Sequence, residues 1–165
     1  MTSPVPLSKL HLLEDFDCGN IVLNEWLIRF AWQNNQANAA KTFVVCDELK
    51  VVGYYSLAVG SIEYNEVVPS RIKKGLAHHN IPVVILARLA VDLKYQKCGV
   101  GKGLLKDALL RTLNISEHIG IRAVFVNAKN DQARKFYQSN DFEPYPYDPL
   151  KLILLLSDIK KINSL

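Results

Sequence analysis

Leu23, Trp26, Leu27 and Phe30 recur at i, i+3, i+4 and i+7, which predicts an amphipathic helix capped by Asn20. The pattern dissolves over residues 33–38, and residues 1–15 read as an irregular lead-in or a short first strand. Two β-branched and aromatic runs follow at 42–46 and 51–59, joined by Asp47-Glu-Leu-Lys50, a hairpin signal. Residues 61–81 form a long connection punctuated by Pro69 and Pro82, with a short helix expected near 69–76. A third strand is predicted over 83–91. A helix is predicted from Gly99 to about His118, with Leu104, Leu105, Ala108, Leu109 and Ile115 on one side and Gly120 as its stop. A strand over 121–127, a helix over 130–139 and strands near 141–147 and 151–157 complete the chain. The succession defines a mixed α/β layer built around one sheet.

Composition narrows the class without naming it. At 165 residues, 49% of them hydrophobic, the chain is expected to fold as a single domain, residues 1–165. A net charge of +4 permits an anionic partner but is mild for a general DNA coater. Cys18, Cys46 and Cys98 show no CxxC or Cys/His spacing, and adjacent His78 and His79 are not at ligand spacing; no metal site is expected. The N-terminus lacks a basic and then apolar leader, and the longest apolar run, 152–156, is far short of the ~20 residues that span a bilayer. A cytoplasmic protein without membrane association is the expectation.

The chemistry concentrates in Ile85-Leu-Ala-Arg-Leu-Ala-Val-Asp-Leu-Lys-Tyr-Gln-Lys-Cys-Gly-Val-Gly-Lys-Gly-Leu-Leu105, an apolar strand, a basic loop, a glycine-rich turn and a helix. Such an order places unpaired backbone N–H groups and lysines at a helix N-terminus, where an anion can sit. A Walker loop is excluded because Gln96 stands where its first glycine belongs and Gly103 where its hydroxyl belongs. A dinucleotide fingerprint fails at Leu104. Two readings remain from the local pattern: a turn whose amides at 99–103 approach a pyrophosphate, aided by Lys97 and Lys102, or a glycine-containing loop before an ordinary surface helix.

Gln96-Lys-Cys-Gly99-Val-Gly101, following a strand and preceding a helix, resembles the [QR]-x-x-G-x-[GA] turn of the GCN5-related N-acetyltransferases (GNAT). The resemblance implies the GNAT fold: a single mixed, mostly antiparallel central sheet flanked by helices. It implies acetyl-coenzyme A as cosubstrate, held by Leu89, Ala90 and Val91 on a strand that splays from its neighbour. Gln96, Lys97, Cys98, Gly99, Val100, Gly101, Lys102 and Gly103 would form the pyrophosphate turn. Asn130-Asp-Gln-Ala-Arg-Lys-Phe-Tyr137 matches the family's N-x-x-A-x-x-F-Y order. By that match Tyr137 would protonate the departing thiolate, and Asn130 would bind the cofactor arm or cap the helix. Taken alone, Tyr137 reads as a core tyrosine. The family's Gly-Phe after this helix is replaced by Asn140-Asp141-Phe142, residues that tolerate left-handed geometry.

The segments starting at Leu23, Thr42, Gly53 and Pro82 together resemble the acetyltransferase toxins of bacterial toxin–antitoxin pairs. This second resemblance implies aminoacyl-tRNA as acceptor, acetylated on its α-amino group so that translation stops. It also implies a ribbon-helix-helix antitoxin, operator DNA bound only through the antitoxin complex, and a homodimer. Arg29, Arg71, Lys73, Lys74 and Arg88 are the candidate tRNA contacts, and Arg88 interrupts an apolar strand. Alternative acceptors are a small amine or a protein N-terminus; a non-catalytic co-repressor that binds coenzyme A or antitoxin is a third reading. No residue is required as a general base, since an esterified α-amino group titrates near or below its reference of about 7.7–8.0. Glu63 and Glu66 read as surface carboxylates. Spacing does not select the aminoacyl group.

Overall fold

The structure is a computed structural model that describes residues 1–164. Its strands are β1 (Val5–Pro6), β2 (Lys41–Asp47), β3 (Lys50–Ile62), β4 (Ile81–Val91), β5 (Ala123–Asn127), β6 (Glu143–Pro144) and β7 (Lys151–Leu155). They form one seven-stranded sheet in the order β1-β2-β3-β4-β5-β7-β6. Helices are α1 (Ile21–Glu25), α2 (Ala31–Gln36), α3 (Val100–Ser116), α4 (Asp131–Ser139) and α5 (Leu156–Ser164). Packing divides the chain into two compact units, through both of which β3, β4 and α3 run: Met1–Ala58 with Ala87–Ala108, and Val59–Leu86 with Leu109–Leu165.

In the first unit β1, β2 and β3 pair antiparallel, with an irregularity between Val45 and Cys46. Leu27, Ala31, Val44, Val51, Tyr54 and Ala90 form its core. Asn20 caps α1 as expected, accepting from the Leu23 amide at 3.2 Å. The helix then widens into a π-helical turn over Trp26–Phe30, closed by the Ala31 N–H donating to the Trp26 carbonyl. That extra residue breaks the 3.6-residue period. Trp26, Leu27 and Ala31 stay buried while Phe30, expected on the same stripe, turns out to 47% exposure.

In the second unit β5 pairs antiparallel with β7, and β4 pairs parallel with β5 only from Val83↔Ala123 to Ile85↔Phe125. β4 itself continues to Val91 beyond the end of that ladder. Ile62, Val68, Ile72, Ile81, Val83, Ala123, Ile153 and Leu155 supply the core. The long connection after β3 contains a short 3₁₀ turn, Ser70–Ile72, in place of the expected helix. It is nonetheless tied down: the Arg122 guanidinium donates to the carbonyls of Ile72 (2.9 Å), Arg71 (3.1 Å) and Lys74 (2.9 Å).

The last strand ends at Leu155 and α5 follows it directly; an apolar run has no periodicity to separate strand from buried helix. Thr112 shares the buried stripe with Leu104, Leu105 and Ala108, whereas Ile115, one residue before the end of α3, is exposed. Gly120 lacks the left-handed φ of a glycine stop. At the end of α4 the replacement for the family's glycine does adopt that geometry: Asp141 has φ 73, and the Phe142 N–H donates to the Tyr137 carbonyl at 3.1 Å. D141G is expected to stabilise the chain by about 0.5–1 kcal/mol, the relief of left-handed strain exceeding the added freedom of the unfolded chain. Denaturant titration checks this as a raised midpoint at unchanged slope.

Candidate functional site

The glycine-rich turn lies in the first unit and begins as β4 ends. Asp92, buried, accepts from the Asp17 amide at 3.1 Å through one oxygen and from the Lys94 amide at 3.0 Å through the other, which shapes the 3₁₀ turn Leu93–Tyr95. The Gln96 side-chain amide donates to the Val91 carbonyl at 2.8 Å and to the Cys18 carbonyl at 3.1 Å. Gln96 therefore braces the turn against β4 and the loop before α1. Lys97 (φ 61) and Gly99 (φ 84) are both left-handed, so the backbone curls twice within three residues. A Cβ on Gly99 would meet no atom within 4 Å; its glycine is required by conformation.

After this curl α3 starts at Val100, with the usual orphan amides in its first turn. The Gly103 N–H, counted among the anion donors from sequence, is committed to the Gly99 carbonyl at 3.0 Å. The open donors are thus those of Val100, Gly101 and Lys102. Lys97, Cys98 and Lys102 are exposed around them, and the helix dipole adds to the positive potential there. Opposite the turn, Gly53 lets β3 approach: a Cβ there would lie 3.0 Å from Leu104 Cδ1 and 3.4 Å from the Ala90 carbonyl. Leu89, Ala90 and Val91 stand on the stretch of β4 beyond the β5 ladder.

Tyr137 belongs to the second unit and is 6% exposed, with ring contacts to Phe136 and Phe142. Its hydroxyl makes no hydrogen bond among the described residues, yet it is not sealed; Tyr145 is the tyrosine whose buried hydroxyl is wholly enclosed without a partner. Burial pushes the Tyr137 phenol above its ordinary range, which keeps it protonated. Asn130 caps α4, accepting from the Ala133 amide at 2.9 Å, so capping is the role its oxygen fills.

The basic candidates separate. Arg71 is not a free cation: its two terminal nitrogens fork onto both oxygens of Asp158 at 2.9 Å. Lys73 donates to the Glu66 carbonyl at 2.6 Å and lies 5.2 Å from the centre of the Tyr64 ring. Arg29 and Lys74 remain exposed. Arg88 is half-buried, its guanidinium carbon 3.9 Å above the Trp26 ring. Sequence reasoning missed the Asp17–Asp92–Gln96 brace and the Arg122 clamp; both bind backbone across long separations, and neither leaves a periodic signal. No group of three or more His, Cys, Asp or Glu side chains among the described residues could hold a metal. No helix among them is long and apolar enough to cross a membrane.

A strand that runs past its ladder, a turn with open amides and a helix, on a sheet of this order, fit the family that the sequence resembles, acetyltransferases that draw on acetyl-coenzyme A. Residues 38–144 match the model of the acetyltransferase (GNAT) domain. The tRNA-acetylating toxin of Mycobacterium tuberculosis is 37% identical over 161 residues, covering 98% of this chain and 96% of that protein. AtaT complexed with acetyl-methionyl-tRNAfMet aligns with a TM-score of 0.89 at 29% identity, over 97% of this chain and 98% of that one. A mutant of the AtaT toxin bound to the C-terminus of the antitoxin AtaR and to acetyl-CoA aligns with a TM-score of 0.84 at 27% identity, over 98% of each chain. The chain belongs to the GNAT acetyltransferases, in the branch of the tRNA-acetylating toxins.

Two outcomes follow from this geometry. G99V forces a β-branched residue into a left-handed position and is expected to weaken acetyl-CoA binding at least tenfold in calorimetry. Arg71 holds the Asp158 carboxyl below its usual range. Because the folded value is the lower one, the pair stabilises above about pH 4 and the contribution is lost as pH falls through the folded value. R71A should therefore lower the melting temperature slightly at neutral pH and not at the acid end.

Proposed function

We propose that the chain transfers the acetyl group of acetyl-CoA to the α-amino group of aminoacyl-tRNA and so arrests translation as the toxin of a toxin–antitoxin pair. The observation that carries this is the 37% identity to a tRNA-acetylating toxin along 98% of the chain, supported by the Gln96-x-x-Gly99-x-Gly101 motif and Tyr137 in the sequence. Acetyl-CoA supplies an activated acyl group and a thiolate leaving group. The amides of Val100, Gly101 and Lys102, with Lys97 and Lys102, hold its diphosphate; Gln96 and Gly99 keep the turn in shape for them. Leu89, Ala90 and Val91 offer backbone hydrogen bonds to its pantetheine arm, and an N–H there stabilises charge on the thioester oxygen. The neutral amine attacks and loses a proton to solvent; Tyr137 gives its own proton to the departing sulfur and regains one from water.

This reading places the protein in the cytoplasm, where charged tRNA is, and gives it an antitoxin whose C-terminus covers the toxin. Y137F is expected to lower kcat by about 10²–10⁴-fold, with acetyl-CoA binding unchanged, and to relieve growth arrest. Since burial raises the phenol, kcat should show no alkaline loss from Tyr137 below pH ~10. Mass spectrometry of charged tRNA beside a panel of polyamines and peptides tests the acceptor. Acetylation of the panel alone would refute the tRNA assignment.

A further inference from the structure

Arg88 is a half-buried cation with no carboxylate partner among the described residues. It stands on β4 between Leu86 and Ala90 on the same face of the strand, and both of those are buried. Its guanidinium carbon lies 3.9 Å above Trp26, which stacks at 12° on Tyr54. The Tyr54 hydroxyl is already donated to the Leu23 carbonyl at 2.8 Å. Among the described residues the guanidinium therefore faces aromatic rings and pairs with no carboxylate. Enclosing a cation this way is costly, and stacking on an indole returns only part of the cost. An apolar side chain would pack there with less penalty. The position is built for an anion that arrives from outside.

The cofactor's diphosphate is not that anion. Its turn has Lys97, Lys102 and the open amides of α3, and the rise from Arg88 to the end of β4 alone is about 10 Å. A second anion is required on the acceptor side. An acceptor carried on the 3′ end of RNA brings one: the phosphodiester next to the ribose that bears the aminoacyl ester. The planar guanidinium fork matches two phosphate oxygens, and Trp26 holds that plane in orientation.

We propose that Arg88, oriented by Trp26, binds the last phosphodiester of the aminoacyl-tRNA acceptor end and so sets the α-amino group for attack. The inference rests on the acceptor reading above and assigns Arg88 as a positioning residue. Its test is the steady-state acetylation of charged tRNA by wild type, R88Q and R88K across a range of salt concentrations. R88Q should raise KM for charged tRNA ten- to a hundredfold while KM for acetyl-CoA holds, which also reports an intact fold. The slope of log kcat/KM against log salt should become shallower by about 0.7, the loss of one single-strand phosphate contact. R88K should recover the slope but only part of the KM. An aminoacyl-adenosine without phosphate should be acetylated equally by wild type and R88Q.

An unchanged salt slope, an equal loss on the phosphate-free acceptor, or a raised KM for acetyl-CoA would overturn the assignment. So would an effect confined to inhibition by an antitoxin peptide, which would give Arg88 to that partner. Wild type that acetylates amines or peptides and leaves charged tRNA untouched refutes the acceptor reading itself. Wild type active on charged tRNA beside an indifferent R88Q refutes only the role of Arg88.

Discussion

The end of β4 and the turn after it depend on one constraint: the polar groups around the glycine turn are satisfied from outside the turn, so its own amides stay open. Asp92 takes two amides, one from the loop before α1 and one from the 3₁₀ turn, and Gln96 donates to Val91 and Cys18. The backbone can then curl left-handed at Lys97 and Gly99 and enter α3 with its first N–H groups pointing at no protein acceptor. Were Gln96 shorter, the chain would have to satisfy Cys18 and Val91 from the turn itself, and the anion donors would be the groups consumed. Gln96, assigned to cofactor contact from the motif, earns its place one step earlier, as the brace.

The fold was legible wherever composition or period set a segment apart from its flanks. The β2–β3 hairpin, β4, α3 and α4 all lie within a few residues of their expected bounds: β-branched and aromatic runs between turn residues mark the strands, and helical spacing marks the helices. Legibility failed where two periods met or none existed. The π-turn at Trp26–Phe30 inserts a residue into an otherwise regular stripe and moves Phe30 from core to surface. The run from Leu152 to Leu156 is apolar on every side and hides the passage from β7 into α5. The connection after β3 owes its form to Arg122 and Arg71, whose partners are dozens of residues distant.

The site divides the same way. Gln96, Gly99 and Tyr137 were singled out by the family resemblance; spacing and residue type alone left the turn open to two readings and gave Tyr137 as a core tyrosine. Charge could not be sorted from the sequence: Arg71 and Arg88 look alike as letters. One is neutralised by Asp158 at the surface, and the other sits over an indole with no counter-ion among the described residues. Asp141 shows that a family's glycine can be replaced where the left-handed backbone tolerates a short polar side chain.

The π-turn decouples the two halves of the leading helix. Ala31 keeps α2 seated, while α1 emerges rotated out of phase with it and presents Ile21 and Val22 to solvent. A gain or loss of one residue at this turn would swing α1 by roughly a quarter of a revolution and carry the Leu23 carbonyl away from the Tyr54 hydroxyl of β3. Asn24 of α1 holds the Cys18 amide and Gln96 holds the Cys18 carbonyl, so the phase of the leading helix is passed on to the glycine turn.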